Sequence, residues 1–537
     1  MCLWLSAAAS NAAERDLAKA MTDHIQCHPV EMLSFEKQQP IIIKKSVCLA
    51  AIYQKSGAEP LWVSKEGPGE RAEIILKYLE KAGKEGLNPA DYQVKKIKEQ
   101  WTDLSLTSLA ELDTLLTYNM VKYIHDVSYG QIKPYMVNPE LFAEAGERGF
   151  NPLKMLAAIQ KMEDLEAFFQ SLPPQHHQYQ GLKKALVQYN GMTYNGQWRK
   201  IILKKSIRPG DEDERIIEIR KRIALLENAG VERLTTANRS LFDDNLTKKV
   251  IRFQLNHGLD PDGIIGRKTM RELNKSPQER LDQIKVNMAR WRWHDHTLGD
   301  KYILVNIANY RLFTYEAGEL KFSMPVIVGK RRHQTPVFSG KIKYLEFNPY
   351  WNVPPSIAKD EQLPKLRKNA DYLVSKNIRL FSNWQEDSVE IDSTVIDWHA
   401  VTPSQMAGFK LRQDPGPDNE LGRVKFVFPN QYAVYLHDTL SKKLFSRQTR
   451  PFSHGCIRVS EPAKLAAFLL NQKGNTWDRE RVSHLINLGK RKVLQIRPTI
   501  PVHITYQTVW VDKDGQINFN ADVYGRDETL YHALFMK

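Results

Sequence analysis

The chain is 537 residues long, with 42% hydrophobic and 26% charged residues and a net charge of +15. This length exceeds what one core can organise, so about two to four globular domains are expected. The basic surface favours polyanions such as nucleic acid, an anionic membrane face or the carboxylate-rich bacterial cell wall. The sequence has no zinc-finger spacing, no basic amphipathic reading helix and no aromatic RNA-binding signature, which argues against nucleic acid.

The amino terminus has the composition of an export signal. Residues 1–12 are apolar and then rich in small side chains, like the distal part of a secretory signal whose positive region is missing. A frayed terminus or a cloning remnant would look the same, but export is the interpretation that we favour. No apolar run in the sequence reaches the roughly 18 residues that a transmembrane helix needs.

Four cysteines are few for an exported chain, at Cys2, Cys27, Cys48 and Cys456. A bridge between Cys27 and Cys48 is one outcome in an oxidising compartment, and the sequence leaves that pairing open. His24, Cys27 and His28 are of ligand type, but no second cluster matches them. We therefore predict no metal site and no cofactor.

Residues 13–205 are predicted to form a mostly helical scaffold domain. Residues 71–82 and 108–125 carry apolar side chains close to the helical period, and the second helix is expected to end near Gly130. This region contains no group of side chains that suggests catalysis. Its predicted role is therefore structural.

A small module of three helices is predicted over residues 206–276. Its first helix covers residues 215–226, and a helix, a Gly/Asp/Pro turn and another helix follow. Taken singly, its apolar positions are core residues and Asp262-Gly263 is only a turn; the core positions are Phe253, Leu259, Ile265 and Leu273. Only the whole pattern carries functional information.

Residues 277–299 are predicted to be a linker helix that includes Arg290-Trp291-Arg292-Trp293. Alternating cations and aromatic rings are found on membrane-facing and sugar-stacking surfaces. Packing at a joint between domains is the alternative that we favour for this run.

From residue 300 the apolar period changes to two, which predicts a β-rich domain over residues 300–499. The strand pattern breaks over residues 356–423. An insertion of this length beside a sheet is expected to form a helical lid. Residues 500–537 are predicted to be a C-terminal strand segment that packs back on an earlier domain. The predicted fold class is thus multidomain α+β, with an all-β domain, a three-helix module and a helical scaffold.

The run Ser453-His454-Gly455-Cys456-Ile457-Arg458 carries the strongest chemical signal in the chain. A cysteine reacts as its thiolate, so a catalytic cysteine needs a base or a positive field nearby. Residues 431–439 are predicted to be a strand, which places His437 near its end. The spacing to Cys456 allows the two side chains to meet, so His437 is the candidate base.

Two neighbours of Cys456 suggest how the site would handle negative charge. Gly455 can adopt backbone conformations closed to other residues, which would aim the amides around Gly455 and Cys456 at an oxyanion. Arg458 can hold a substrate carboxylate in a charge-assisted fork. A single cysteine is more often a small buried apolar residue, and a single histidine is more often structural. The combined pattern outweighs both alternatives.

The pattern His-x15-Ser-His-Gly-Cys-x-Arg resembles the signature of the L,D-transpeptidase catalytic domain, often called the YkuD fold. Residues 86–92, 111–113 and 127–130 resemble the helical scaffold that precedes this domain in large Gram-negative L,D-transpeptidases. Residues 247–274 resemble the peptidoglycan-binding type 1 module, with its Phe-Gln pair, Asp-Gly-x-x-Gly turn and Leu-Asn end.

The resemblance implies a periplasmic enzyme that cross-links peptidoglycan. Cys456 would attack the third residue of a tetrapeptide stem, expel D-alanine and pass the acyl group to an amine, which makes a 3→3 cross-link. The implied partners are stem peptides and glycan, cell-wall synthesis proteins, and carbapenem-type β-lactams that acylate Cys456. L,D-carboxypeptidase activity and lipoprotein attachment use the same thioester and remain open, as does a non-catalytic wall-binding scaffold.

Further substrate-side candidates surround this motif. Trp351 and Asn352 lie in an Asn-Pro-x-Trp-x-x-Pro element that resembles the family element beside the active site. Tyr435 shares a strand face with His437 under period-two alternation. His454 either tunes the field at Cys456 or only packs. Asp438 is a candidate to orient His437, although the family implies a backbone carbonyl for that role.

Overall fold

The structure is a computed structural model that describes residues 16–24, 53, 59–137, 150–192, 198–226, 239–472 and 476–536. The chain divides into two compact units, Met1–Leu298 with Gln507–Lys537, and Gly299–Tyr506. The predicted signal remnant at residues 1–12 and the cysteines Cys2, Cys27 and Cys48 lie outside the described residues. Within the described ranges, no helix is both long and apolar enough to cross a membrane.

Helices dominate the first unit. Its described α-helices are 16–24, Glu70–Glu80, Val94–Gln100, Leu106–Tyr129, Pro134–Val137, Pro152–Gln160, Leu165–Ser171, His177–Asn190, Arg215–Leu226, Asp244–Asn256, Arg267–Leu273, Pro277–Arg292 and Arg526–Phe535. The second unit has shorter ones, at Pro355–Ile357, Leu363–Leu366, Tyr372–Ser375, Pro403–Gly408, Pro462–Leu470 and Arg479–Asn487.

The helix Leu106–Tyr129 is the centre of the scaffold. Ser105 caps its start by accepting the Ser108 N–H, and Gly130 follows its end with a φ of 90°. Three buried leucines, Leu109, Leu112 and Leu116, join a large hydrophobic cluster with the neighbouring helices. The predicted helix at residues 108–125 is confirmed, and its stop at Gly130 follows from the left-handed freedom of glycine.

Gln254 organises the turn of the three-helix module. Its amide nitrogen donates to Asp262 Oδ1 at 2.8 Å and to the Ile264 carbonyl at 2.9 Å. Its amide oxygen accepts the Gly263 N–H at 2.9 Å. The Asp262-Gly263 turn is therefore held by a buried side chain that the Phe-Gln pair supplies.

The run 290–293 lies inside the first unit, where all four residues are buried. Trp293 Nε1 donates to the Ile132 carbonyl at 2.9 Å, and Arg290 pairs with Asp527 at 2.6 Å. Neither a membrane-facing nor a sugar-stacking surface fits this burial, so the run has a packing role.

The described strands are β1 (Val63–Ser64), β2 (Gly67–Pro68), β3 (Lys301–Asn306), β4 (Arg311–Glu316), β5 (Glu319–Gly329), β6 (Phe338–Phe347), β7 (Trp351–Asn352), β8 (Ile378–Phe381), β9 (Glu390–Ile391), β10 (Lys410–Gln413), β11 (Val424–Val427), β12 (Leu436–His437), β13 (Pro451–Ser453), β14 (Ile457–Val459), β15 (Lys492–Thr505), β16 (Val509–Val511) and β17 (Ile517–Phe519). Thirteen of them, β3 to β15, lie in the second unit.

A nine-stranded sheet forms the body of the second unit, in the order β13-β5-β14-β12-β11-β6-β15-β3-β4. Because β4 also pairs with β5, eight of these strands close into a ring and β13 is added at β5. The predicted all-β domain is confirmed. Its last strand runs to Thr505 and pairs with β3, so the sheet extends past the predicted limit at residue 499.

The insertion, residues 356–423, contains helices and also strands. Short helices and a π-helical turn at Ala358–Gln362 follow the sheet, as predicted. A four-stranded antiparallel sheet, β7-β10-β8-β9, completes the region with its own hydrophobic core. Sequence analysis did not predict this sheet, because its strands are short and their partners are far apart in the chain.

The strand predicted at residues 431–439 is wrong in extent, since only Leu436–His437 is a strand. Asn430 explains the difference. Its amide nitrogen donates to the carbonyls of Phe428 and Val434 at 2.6 and 2.7 Å, and its oxygen accepts the Tyr432 and Val434 N–H groups. A side chain that satisfies the backbone in this way replaces the ladder of a sheet.

Candidate active site

Hydrogen bonds to two buried hydroxyls fix the turn that carries Cys456. Ser453 Oγ accepts the Gly455 N–H at 3.2 Å and donates to the Cys456 carbonyl at 2.5 Å. Thr335 Oγ1 donates to the Gly455 carbonyl at 2.8 Å. Gly455 has a φ of 113°, which L side chains rarely adopt. We name residues 453–456, between β13 and β14, the cysteine turn.

The amide of Gly455 is already used within the cysteine turn. Its N–H donates to Ser453 Oγ, so it does not point freely toward an incoming oxyanion. Gly455 therefore shapes the turn, and the predicted oxyanion role of its amide is not supported by this hydrogen bond.

The Cys456 sulfur is half-buried and faces Tyr435. Sγ lies 3.8 Å from the Ala433 carbonyl oxygen. Burial is the largest influence and raises the pKa of the thiol, so the resting side chain needs a base. The backbone amide and hydroxyl of Tyr435 and the charges of Lys425 and Arg458 oppose this shift and favour the thiolate.

Four polar residues pair in one row across β14, β12, β11 and β6, in the order Arg458, His437, Lys425 and Glu346. Residues that pair directly on neighbouring strands project from the same face of a sheet. The Tyr435 and His437 rings lie on this face as well, with centroids 5.6 Å apart. We name these four residues the polar row.

His437 is buried and neutral at neutral pH. Burial, and then the nearby Arg458 charge, lower the pKa of His437 to about 3, while the backbone carbonyls of Asp438 and Leu421 oppose the shift. Its Nδ1 is buried and has no hydrogen-bond partner among the described residues. A neutral imidazole can accept a proton. The expected meeting with Cys456 is incomplete, because no hydrogen bond joins the two side chains within the described ranges.

The carboxylate of Asp438 points to the backbone rather than to His437. It accepts the Arg423 N–H at 2.9 Å and the Thr439 N–H at 2.7 Å, and it forms an ion pair with Lys442. The Asp438 side chain is thus engaged away from His437, and the orientation of His437 by a backbone carbonyl stays a prediction.

His454 links the cysteine turn to the insertion. Its Nε2 lies 2.8 Å from a carboxylate oxygen of Glu361, which belongs to the π-helical turn. Its ring also lies 4.8 Å from the ring of His333. Burial lowers the pKa of His454, although Glu361 opposes that shift. His454 therefore joins the cysteine turn to the insertion, and the choice between its two predicted roles stays a prediction.

The structure separates Trp351 and Asn352 on the two sides of β7. Trp351 is 8% exposed and belongs to the hydrophobic core of the insertion, against which Tyr435 also packs. Asn352 is exposed and pairs with Arg412 of β10. Trp351 therefore belongs to the hydrophobic core on which Tyr435 packs, and its contact with substrate stays a prediction.

Sequence analysis missed Lys425, Thr335 and Glu361. Lys425 lies in a strand whose neighbours Val424 and Phe426 are buried, and alternation alone could have placed it on the face opposite to theirs. Thr335 and Glu361 act through contacts with residues far away in the chain, which no local pattern reveals.

The second unit of this multidomain α+β protein contains a candidate enzyme active site. It consists of the cysteine turn on the closed sheet and the neutral imidazole of His437 on the next strand. Residues 300–492 match the family model of the L,D-transpeptidase catalytic domain. Residues 214–273 match a "Putative peptidoglycan binding domain", and residues 48–186 match a scaffold domain. The chain therefore carries an L,D-transpeptidase catalytic domain together with these two domains, and the predicted family resemblance is confirmed.

A Haemophilus influenzae protein described as "Putative L,D-transpeptidase" is 34% identical over 228 residues, which are 42% of this chain and 45% of that protein. The match thus spans less than half of the relative's length. Among solved structures, an L,D-transpeptidase from Stackebrandtia nassauensis is 13% identical with a TM-score of 0.21, over 50% of this chain and 94% of that one. An L,D-transpeptidase from Mycobacterium smegmatis is 11% identical with a TM-score of 0.17, over 38% and 58%.

Proposed function

We propose that this protein forms 3→3 cross-links in peptidoglycan through a thioester on Cys456 and releases D-alanine from tetrapeptide stems. The observation that carries the proposal is the position of Cys456. Within a domain that matches the L,D-transpeptidase family model, its sulfur lies beside Tyr435, whose backbone amide and hydroxyl favour the thiolate, and a neutral His437 lies on the adjacent strand.

In the first half-reaction, His437 accepts the thiol proton and the sulfur attacks the carbonyl of the third stem residue. The tetrahedral intermediate collapses when the carbon–nitrogen bond to D-alanine breaks, and the proton on His437 passes to the leaving amine. This transfer needs His437 and Cys456 in contact. A turn of the Cys456 side chain away from the Ala433 carbonyl would supply that contact, and such contacts often form only with substrate bound.

Arg458 couples substrate binding to this proton transfer. Its Nε is buried with no hydrogen-bond partner in the described part of the chain, and its charge helps to lower the pKa of His437. A stem-peptide carboxylate bound to Arg458 would offset that charge. His437 would then become a stronger base when substrate arrives, and the thiol would stay protonated and less reactive without it.

The oxyanion of the tetrahedral intermediate needs donors other than Gly455, whose amide is bonded to Ser453. The Cys456 amide and the Tyr435 hydroxyl are the donors that we assign, because the hydroxyl favours negative charge on the neighbouring sulfur. Preorganised donors of this kind stabilise charge that develops in the transition state.

In the second half-reaction, an amine of a neighbouring stem attacks the thioester carbonyl, His437 accepts the amine proton, and the thiolate leaves and regains a proton. The net charge of +15 and the domain at residues 214–273 support the carboxylate-rich wall as substrate, and hence action outside the cytoplasm. A β-lactam would acylate the same sulfur, since its strained amide bond opens on attack by a thiolate.

The test is incubation of the whole protein with disaccharide-tetrapeptides, with products read by mass spectrometry. Cross-linked dimers and free D-alanine are expected from the wild type and from Cys48→Ala, the control for loss of a cysteine. Cys456→Ala should give neither product, and Arg458→Gln should raise KM. Tripeptide without dimers would show an L,D-carboxypeptidase instead. Equal turnover by Cys456→Ala would overturn the proposal.

A further inference from the structure

Lys425 is a cation inside the polar row that forms no ion pair among the described residues, although the carboxylate of Glu346 lies next to it on β6. It is half-buried on β11, with His437 as its partner on one side and Glu346 on the other. Glu346 is engaged by Arg491 in an ion pair. Among the described residues, Lys425 itself forms no ion pair. A half-buried ammonium without a counter-ion is costly, so another group must compensate for its charge.

The groups nearest to Lys425 lead directly to the sulfur. Its Nζ lies 4.2 Å from the centroid of the Tyr435 ring, on the face of that ring, where a cation is attracted by the π electrons. Leu436 pairs with Ile457 across β12 and β14, so the preceding residues Tyr435 and Cys456 are neighbours as well. Lys425 and Cys456 therefore both lie beside one aromatic side chain.

Arg458 pairs with His437 on the side opposite to Lys425. The polar row thus places one cation on each side of the imidazole, and both lie close enough to favour negative charge on Cys456. Two fixed cations also disfavour a proton on the imidazole between them. The row is suited to hold a thiolate next to a neutral histidine.

We propose that Lys425 is a positioning residue that stabilises the Cys456 thiolate through space, as the partner of Arg458 across His437. This inference rests on the proposed function of Cys456 as nucleophile. The two cations have different roles. A bound substrate carboxylate compensates the charge of Arg458, whereas the charge of Lys425 stays uncompensated through the reaction. Lys425 therefore stabilises the sulfur when it departs from the thioester as well as when it attacks.

Several charged groups near this part of the sheet influence the pKa values of Lys425 and Arg458. Burial lowers the pKa of Arg458, whereas the charges of Glu420 and Glu361 raise it. Burial also lowers the pKa of Lys425, as does the charge of Arg491, but the charges of Glu346 and of an ionised Cys456 raise it. The ammonium is therefore favoured most when the thiolate is formed.

The experiment measures the alkylation rate of Cys456 by iodoacetamide as a function of pH, followed on the peptide that contains Cys456. It uses the whole protein and needs no peptidoglycan. In Lys425→Met the midpoint should rise by about one pH unit, the usual size for loss of one nearby charge. Lys425→Arg should restore the wild-type midpoint. Glu346→Gln, which removes the opposing charge, should lower it.

Lys343→Met is the matched control, because Lys343 is an exposed lysine of β6 on the face opposite to Glu346. Its midpoint should equal that of the wild type. An unchanged midpoint in Lys425→Met would overturn the inference, and if KM for the stem peptide rose instead, Lys425 would be a substrate ligand. Neither result would contradict the proposed function, which is tested by the loss of cross-linked dimers and D-alanine in Cys456→Ala.

Discussion

The hydroxyl of Thr335 joins Gly329 to Gly455. It accepts the Gly329 N–H at 2.9 Å and donates to the Gly455 carbonyl at 2.8 Å. Thr335 is fully buried, so both bonds are shielded from water. The position of the cysteine turn therefore depends on a side chain 120 residues earlier in the chain, shortly after the end of β5.

Thr335→Val is expected to loosen the cysteine turn. Valine has nearly the same shape but leaves a buried N–H and a buried carbonyl without partners, which should lower the free energy of unfolding by about 2 kcal/mol. Acylation of Cys456 should slow about tenfold, which denaturant unfolding and single-turnover mass spectrometry would measure together. Thr335→Ser keeps the hydroxyl and should retain most of the rate. Wild-type stability in the valine variant would contradict this role.

Gly422 leaves no room for a side chain beside His437. It has a φ of 63°, and a Cβ at this position would lie 2.4 Å from the carboxyl carbon of Asp438, the residue after His437. Gly422→Ala should therefore destabilise the protein by about 2 kcal/mol or more and reduce the acylation rate. Gly408→Ala is the control, because a Cβ added there would meet nothing within 4 Å and its φ is not left-handed. Equal melting temperatures for the two variants would refute the argument.

The Tyr435 hydroxyl should matter for rate more than for binding. Tyr435→Phe keeps the ring that packs against the insertion and faces Lys425, but removes the hydroxyl that favours negative charge on the sulfur. Loss of one hydrogen bond to a thiolate or oxyanion is expected to cost about tenfold in acylation rate, with KM little changed. Tyr432→Phe, on the preceding loop, is the comparison. A fall in affinity at an unchanged rate would assign the hydroxyl to the substrate instead.

The part of the fold that sequence analysis predicted depends on local patterns. The helix Pro277–Arg292 begins with a capping box between Ser276 and Glu279. The linker helix predicted over residues 277–299 includes its whole length. The β-rich domain was predictable from short apolar segments such as β3 and β4, whose residues are nearly all buried. Cys456 and His437 could be named as candidates from the sequence, because their residue types and spacing suit nucleophilic chemistry, and their roles stay predictions.

What the sequence could not provide is the set of long-range pairings around the sulfur. The neighbours of His437 in the polar row come from strands β14 and β11, and nothing local to Lys425 indicates that it will lie beside a histidine. The same limit explains the unpredicted sheet of the insertion, whose strand β10 pairs with β7 and β8. Register between distant strands is decided by packing over the whole domain.

His257 makes the first unit sensitive to acid. Its ring stacks on Phe253 and Phe519, with centroids 3.8 and 5.5 Å away, and Nδ1 lies 2.7 Å from the Phe253 carbonyl oxygen. Burial, and then the Arg280 charge, lower the pKa of His257 to about 3, while Glu272 opposes the shift. The unfolded chain takes up a proton near the ordinary histidine pKa of 6.5, whereas the folded protein does not.

The stability that a neutral His257 contributes is therefore present above about pH 6.5 and is lost as the pH falls toward about 3. Across that whole window the loss amounts to about 4 kcal/mol. His257→Phe keeps the stacking but cannot take up a proton, so its melting temperature should fall less steeply with acid than that of the wild type. His399→Asn, at an exposed position of the second unit, should follow the wild-type curve. Parallel curves for wild type and His257→Phe would show that acid acts on other groups.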